Sequence, residues 1–235
     1  MSSFNKLSLR IGLTPESECN YLPTESEQLG VVMDHHWLSP AGYNVLLASG
    51  YRRSGQAVYK PMCQLCQACT PLRIDCQAFA PSKSQKRQLN QMKQFRWEFK
   101  DNLDDGWYNL YEKYITLRHA DGSMYPPNRE QFFDFCTAPW MSTRFLHAYD
   151  GEKLIAVAVT DVFDNAMSAV YSFFDPDSPL SLGTLCILYQ IQYCQQSGRK
   201  WLYPGYQIDE CKAMNYKVRF KPHQKLTENG WESTS

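Results

Sequence analysis

The stretch "TRFLHAYDGEKLIAVAVTDVFDNAMSAVYSFFD", Thr143–Asp175, decides the fold. Its first two pieces alternate apolar and polar residues or run apolar, and they flank Asp150-Gly151, the dipeptide of a tight hairpin. A third strand, "MSAVYSFFD", follows Asp164-Asn165. Downstream, "SLGTLCILYQIQYCQQSG" carries Leu185, Leu188, Tyr189 and Tyr193 at helical spacing and ends at Gly198, a helix with its stop signal. "RKWLYPGYQ" reads as a further strand, and "DECKAMNYKVRFKPHQ" as a short helix turning into a last strand. Hairpins, one long helix, a strand, then a short helix and a strand is the element order of N-acyltransferase folds. Such folds splay two strands apart and hold an acyl donor in the cleft.

Upstream, "WYNLYEKYITLRHA" places Trp107, Leu110, Tyr111, Tyr114 and Ile115 on one helical face. Asn128 with Gln131 resembles a capping box that opens a second helix through Phe132, Phe133 and Phe135. "SKSQKRQLNQMKQFRWEF" is a basic, partly helical link. The first eighty residues are punctuated by Pro, Ser and Gly around short apolar pieces, with a helix expected from Ser39 to about Ser49. The expected fold class is therefore α+β: a GNAT-like N-acyltransferase fold over 101–235, and a smaller loop-rich α+β region over 1–100 that holds a cysteine cluster and the basic link.

Composition excludes several classes. Hydrophobic residues make up 43% and aromatics 14%, enough for a core. No apolar run is long enough for a transmembrane helix, and the amino terminus lacks the apolar centre of a signal peptide. Nine cysteines, an odd number in a chain with no export signal, fit free thiols in a reducing cytoplasm. Cys136, Cys186, Cys194 and Cys211 read as structural. Charge sums to zero but is uneven: residues 51–100 carry ten Lys or Arg against Asp75 and Glu98 alone. Two basic segments separated by an acidic one could converge on a polyanion.

A CoA-dependent site needs a glycine-rich turn ahead of the long helix, to present backbone N–H groups to a pyrophosphate. In "DSPLSLGTLC" only Gly183 is present, with Leu180 and Leu185 where a polar and a small residue belong. CoA is therefore not the expected donor, and no cofactor is expected.

The segments "CNYLP", "GYRRSGQAVYKPMCQLCQACTPLRI", "YITLRHADGSM", "FFDPDSPLSLGTLCILYQI" and "LYPGYQIDECKAMNYKVRFKP" resemble the bacterial aspartate/glutamate leucyltransferases, relatives of the eukaryotic arginyl-tRNA–protein transferases. The resemblance runs from about Cys19 to Leu226, in the family order. It implies an enzyme of the N-end rule that moves leucine from leucyl-tRNA onto proteins beginning with Asp or Glu and so marks them for degradation. Arginine as donor, on the same fold, remains an alternative. So does a metal-dependent tRNA-binding module without catalysis.

The chemistry is consistent with the residues. An aminoacyl ester is already activated, and the attacking α-amine, with a pKa of about 7.7–8.0, is substantially neutral near pH 7. Positioning, donors aimed at the ester oxygen and a modest base suffice. An acidic acceptor side chain calls for arginine, so Arg52 and Arg53 in "GYRRSG", then Arg73, are the first candidates to read it. His119 and Asp121 in "RHADGSM" could supply a base and its orienting carboxylate, or simply end a helix. Tyr171, Tyr203 and Tyr206 fall near strand ends facing the expected cleft: Tyr171 and Tyr203 could hold the aminoacyl group and Tyr206 could assist the chemistry, although buried tyrosines are as readily core residues. Lys83, Lys86, Arg87, Lys93 and Arg96 are placed to meet tRNA phosphates.

Cys63, Cys66 and Cys69 in "CQLCQAC", with Cys19, suggest four metal ligands. Eukaryotic relatives carry a second cysteine in the first motif, where this chain has Leu22, and three ligands from so short a stretch crowd one ion. No metal is the expectation, with Cys19, Cys63, Cys66 and Cys69 as the alternative ligand set.

Overall fold

A computed structural model describes residues 8–233. In chain order the strands are β1 (Ile11–Leu13), β2 (Ser17–Glu18), β3 (Ser26–Glu27), β4 (Leu29–Val32), β5 (Arg52–Ser54), β6 (Ala57–Pro61), β7 (Thr70–Asp75), β8 (Arg96–Lys100), β9 (Thr143–Asp150), β10 (Lys153–Val162), β11 (Ala166–Phe174), β12 (Trp201–Gln207), β13 (His223–Thr227) and β14 (Gly230–Ser233). The α-helices are α1 (Pro40–Ala48), α2 (Lys83–Met92), α3 (Trp107–Arg118), α4 (Arg129–Cys136) and α5 (Leu182–Gln196).

The chain is α+β, and its centre is an eight-stranded sheet in the order β14-β13-β7-β12-β11-β10-β9-β8. The quoted stretch forms three adjacent strands of it, with Gly151 at φ +57° closing the β9–β10 turn. β10 reads as an apolar run because both of its faces are covered. Ala156 and Ala158 pack into the core under α5, while Val157 and Val159 pack under α3 and α4. A second sheet, β1-β4-β6-β5, packs with α1 against a third core that includes Tyr43, Leu47, Phe163 and Tyr203.

Ser39 caps α1, its side chain accepting from Gly42 N–H, and the Asn128 side chain caps α4 by accepting from Gln131 N–H. The basic link is α2, opened by a full capping box between Ser82 and Gln85, and its end is strand β8. The short carboxy-terminal helix is a 3₁₀ turn over Asn215–Arg219, followed by the β13–β14 hairpin. β7 and β8 both come from the first hundred residues and both lie in the large sheet, so the expected division at residue 100 does not separate two sheets.

Asp175, just past β11, ties α3 to the sheet. Its carboxylate accepts from Lys113 Nζ at 2.8 Å and Lys153 Nζ at 2.6 Å. Burial alone would raise its pKa, but the two lysines and the Asp177 N–H bring it down to about 2. The folded pKa lies below the unfolded one, so this tie stabilises the fold above pH 4 or so and is lost as pH falls toward 2. Asp175→Asn should therefore be less stable at neutral pH and show a shallower loss of stability in acid. Thermal unfolding at pH 7 and at pH 3 checks both.

Candidate active site

β11 and β12 run parallel but pair only through Ala166–Trp201, Met167–Leu202 and Ser168–Tyr203. Both strands then break register. Against β10, β11 pairs Tyr171 with Val159 and Ala169 with Thr160, leaving Val170 extra. Against β7, β12 shifts between Leu202 and Gly205, with Gly205 at φ +101°. One bulge on each strand bends it away from its neighbour, and a fork opens.

Arg52 sits in that fork. Its Nη2 donates to Ala169 O at 2.6 Å and its Nη1 to Tyr203 O at 3.2 Å, one carbonyl on each strand just where pairing stops. The guanidinium thus takes the place of the missing ladder bonds. It is buried and has no carboxylate partner among the described residues. Burying a cation without an anion is costly, and such a group is suited to receive one.

Arg53, the next residue, points the other way and is corrected as a substrate reader. It makes a two-point ion pair with Asp161, Nε to Oδ2 at 2.7 Å and Nη2 to Oδ1 at 2.6 Å, with both side chains fully buried. Nη2 also donates to Cys136 O and to Thr143 Oγ1. The hairpin that carries it is pressed onto α4: a Cβ on Gly55 would lie 1.9 Å from Asp134 O, at φ +56°. Only glycine fits that turn. Strand alternation therefore gives the two arginines opposite roles, one at the fork and one locked in the interior.

Arg73 is also held away from the fork. Its Nε donates to Gln224 Oε1 at 2.8 Å, and its guanidinium lies 3.8 Å from the Trp201 ring and 4.3 Å from the Trp231 ring. It reaches the fork only through Trp231, which meets Tyr203 edge-on. The Tyr203 side chain is core, while its carbonyl holds Arg52. The Tyr206 hydroxyl is kept protonated by burial and donates to Gly50 O at 2.9 Å, which ties β12 to the segment ahead of β5.

Lys217, one of several basic residues near the end of the chain, lies by the fork, where the Arg52 charge acts on it. It is 4% exposed, and its Nζ donates to Tyr206 O at 2.7 Å and Met214 Sδ at 3.1 Å. The 3₁₀ turn has about three residues per turn, so Lys217 shares a face with Met214 and the buried Phe220. That spacing is the signal that could have marked it. Asp161 had a plainer one, an acid inside an apolar run.

His119 and Asp121 stand elsewhere. His119 ends α3, its Nε2 2.9 Å from the Tyr114 hydroxyl, and partial enclosure with the Arg118 charge holds its pKa below the usual histidine range. Asp121 is exposed in the following loop and does not orient His119. Tyr171 belongs to the same side, packed edge-on against Phe135, its hydroxyl kept protonated by burial. The structure thus gathers Arg52, Tyr203, Tyr206 and Lys217 at the fork, and leaves His119 and Tyr171 with α3.

The four thiols Cys19, Cys63, Cys66 and Cys69 do converge, lining one cavity of about 1050 Å³ with Lys60, Leu226 and Trp231. Among the described residues no three His, Cys, Asp or Glu side chains could hold an ion together, and burial followed by the other three cysteines pushes the Cys69 thiol up to about 12. Cys136, Cys186 and Cys194 are buried and Cys211 half-buried. Of the basic link, Lys83, Lys86, Arg87 and Lys93 are exposed on or beside α2 without an acidic partner among the described residues. Arg96 is exposed too, but paired with Glu98 and laid over the Tyr149 ring.

Known proteins resemble the chain over almost its whole length. The family description "Arginine-tRNA-protein transferase, N terminus" matches residues 17–87, and "Arginine-tRNA-protein transferase, C terminus" matches residues 106–227. An "Aspartate/glutamate leucyltransferase" of Vibrio cholerae is 54% identical over 95% of this chain and 96% of its own length. The protein of that name from Vibrio campbellii is 52% identical over 95% of this chain and 97% of its own. Among solved structures, the C-terminal domain of a putative lysylphosphatidylglycerol synthetase from Agrobacterium fabrum superposes with TM-score 0.48 at 11% identity, over 82% of this chain and 71% of that one. No helix among the described residues is long and apolar enough to cross a membrane.

Proposed function

The chain belongs to the arginine-tRNA–protein transferase family, and we propose that it transfers leucine from leucyl-tRNA to the α-amine of proteins beginning with Asp or Glu. The relatives that share half of its residues over nearly their full length carry that activity in their names. Within the molecule the reading rests on Arg52, a buried cation at the mouth of two diverging strands with no acidic partner among the described residues. An acceptor carboxylate supplies the missing anion.

The parallel pair that parts at two bulges supports a GNAT-like arrangement, with the fork as the acyl-transfer cleft. Segment 101–235 supplies most of the sheet and the cleft walls, and segment 1–100 supplies Arg52 and the basic helix. The leucyl ester is attacked by the acceptor nitrogen, the amide bond forms, and the ribose oxygen leaves with a proton. The added leucine would mark the product for degradation, in the cytoplasm where charged tRNA is made.

The deciding assay mixes the protein with leucyl- and arginyl-tRNA and with peptides beginning with Asp, Glu, Lys or Arg, and reads the added mass. A gain of one leucine on Asp and Glu peptides alone is the expected result. Arginine addition, or transfer to Lys and Arg peptides, overturns the donor or the acceptor assignment. tRNA binding with no transfer to any peptide overturns the enzyme.

The exposed cations of the basic helix would meet the tRNA backbone. Replacing Lys83, Lys86, Arg87 and Lys93 with Gln should flatten the plot of log affinity against log salt by about 3–3.5 units, about 0.7–0.9 for each of the four phosphates no longer neutralised. A slope unchanged in the fourfold variant would remove this segment from the tRNA interface. Arg96, occupied by Glu98, should contribute less than any of the four.

A further inference from the structure

We propose that Lys217 is the proton acceptor of the transfer reaction, taking the proton from the acceptor's α-nitrogen as it attacks the leucyl ester. The inference rests on the reading that Arg52 holds the acceptor's acidic side chain.

Hydrogen-bond counting points to this role. A neutral lysine amine has two N–H donors and one lone pair; an ammonium has three donors and none. Lys217 has two acceptors, Tyr206 O and Met214 Sδ, and no carboxylate partner among the described residues. Two acceptors account for two donors, the Tyr216 ring lies 5.4 Å from Nζ, and no third hydrogen-bond acceptor stands by among the described residues, which suits an amine with one lone pair. Met214, three residues back on the same turn, and the Tyr206 carbonyl fix the amine from two sides.

The spacing fits an acidic amino-terminal residue. Arg52 and Lys217 hang on the carbonyls of Tyr203 and Tyr206, which lie three residues or about 10 Å apart along β12, and the two cations are close enough for the Arg52 charge to act on the amine. An aspartyl residue places its α-nitrogen about 4 Å from its own carboxylate oxygen. With a hydrogen bond of about 2.9 Å at each end it reaches about 10 Å, a span comparable to the separation of the two carbonyls. The carboxylate on Arg52 would thus set the nitrogen before Lys217.

The charges around the amine act in a consistent direction. Burial, and next the Arg52 charge, hold Lys217 down at about 7, while Cys211 and Cys69 act weakly the other way. Tyr206 and Met214 face it as neutral partners. Near neutral pH a large fraction of the amine is therefore free to accept a proton.

In the step, the neutral α-nitrogen attacks the ester carbonyl carbon and the C–N bond forms. Its proton passes to Lys217 Nζ. The ester C–O bond then breaks, and the Lys217 ammonium returns that proton to the ribose oxygen that leaves. Atoms and charge balance without any further reactant.

The test is the pH profile of kcat/KM for a peptide beginning with Asp, with leucyl-tRNA saturating. The wild type should show a limb rising through about pH 7, besides that of the α-amine at about 7.7–8.0. Lys217→Met and Lys217→Arg should each lose about 10²- to 10⁴-fold in kcat, keep the peptide KM within twofold, and lack the lower limb. Arginine keeps the charge but cannot give up its proton, so a charge-positioning role would be rescued by Lys217→Arg and a base would not. Activity of Lys217→Arg within fivefold of the wild type, or a surviving lower limb in Lys217→Met, overturns the proposal. Should either variant fail to fold, the ¹³Cε shift of labelled lysines in the wild-type protein reads the titration directly, and an ordinary lysine value at every resolved signal overturns it. Arg52→Ala separates the two ideas. An unchanged Asp-peptide KM there sinks the carboxylate assignment and leaves the lower limb to be judged alone.

Discussion

Arg53→Ala is expected to cost about 3–5 kcal/mol of folding stability, the loss usual when one partner of a buried ion pair is removed. The magnitude follows from what the guanidinium leaves behind. Asp161 is fully buried and would keep only the Thr143 hydroxyl at 3.0 Å. Cys136 O and Gly55 O would lose their donors as well. Three elements meet at this residue: the β5–β6 hairpin, the end of α4 and the carboxy-terminal end of β10. Urea unfolding should show a large fall in midpoint with a nearly unchanged m-value. Arg53→Met paired with Asp161→Leu should recover most of the loss, because the charge is then absent instead of unpaired. A loss below 1 kcal/mol in Arg53→Ala would mean that water reaches Asp161. The catalytic prediction is equally sharp: where Arg53→Ala still folds, the Asp-peptide KM stays at the wild-type value.

The strands and long helices were legible because their period is written in the residues. β9, β10 and β11 follow the alternation and the Asp150-Gly151 turn, and α3 and α5 follow spacings of three and four. Pairing between distant segments was not legible. Nothing local in "TPLRID" says that β7 will insert between β12 and β13, since that choice depends on which edges remain open once the hairpins have formed. The site was legible only in part, for a related reason. "GYRRSG" offers two adjacent arginines of identical chemistry, and only the face on which each emerges from β5 separates the buried tie from the residue at the fork. Lys217 was hidden by its company, since with Lys212, Arg219, Lys221 and Lys225 around it nothing in the pattern of charge sets it apart. Asp121 was overread, because an Asp-Gly after histidine satisfies both a catalytic pattern and a loop.

Arg52→Ala should reduce kcat/KM for peptides beginning with Asp by about 30- to several-thousand-fold, the range for truncating one partner of a desolvated charge pair. The fork makes this residue carry two duties, and the measurement must separate them. Its N–H groups hold Ala169 O and Tyr203 O, so the variant also loosens the point where β11 and β12 part. A loss of that structural kind would lower transfer to every acceptor alike. A loss of carboxylate recognition would be selective. The ratio of rates for peptides beginning with Asp and with Asn is therefore the decisive quantity: large in the wild type, and near one in Arg52→Ala. Arg52→Lys should fall between, since a lysine restores charge but not the fork that spans two carbonyls and a carboxylate together. The variant should also move the lower limb of the pH profile upward, because the Arg52 charge is one of the two influences that depress Lys217. Preserved preference for Asp over Asn in a folded Arg52→Ala protein would take the acidic side chain away from the fork. A limb that stayed in place would break the link between the two cations.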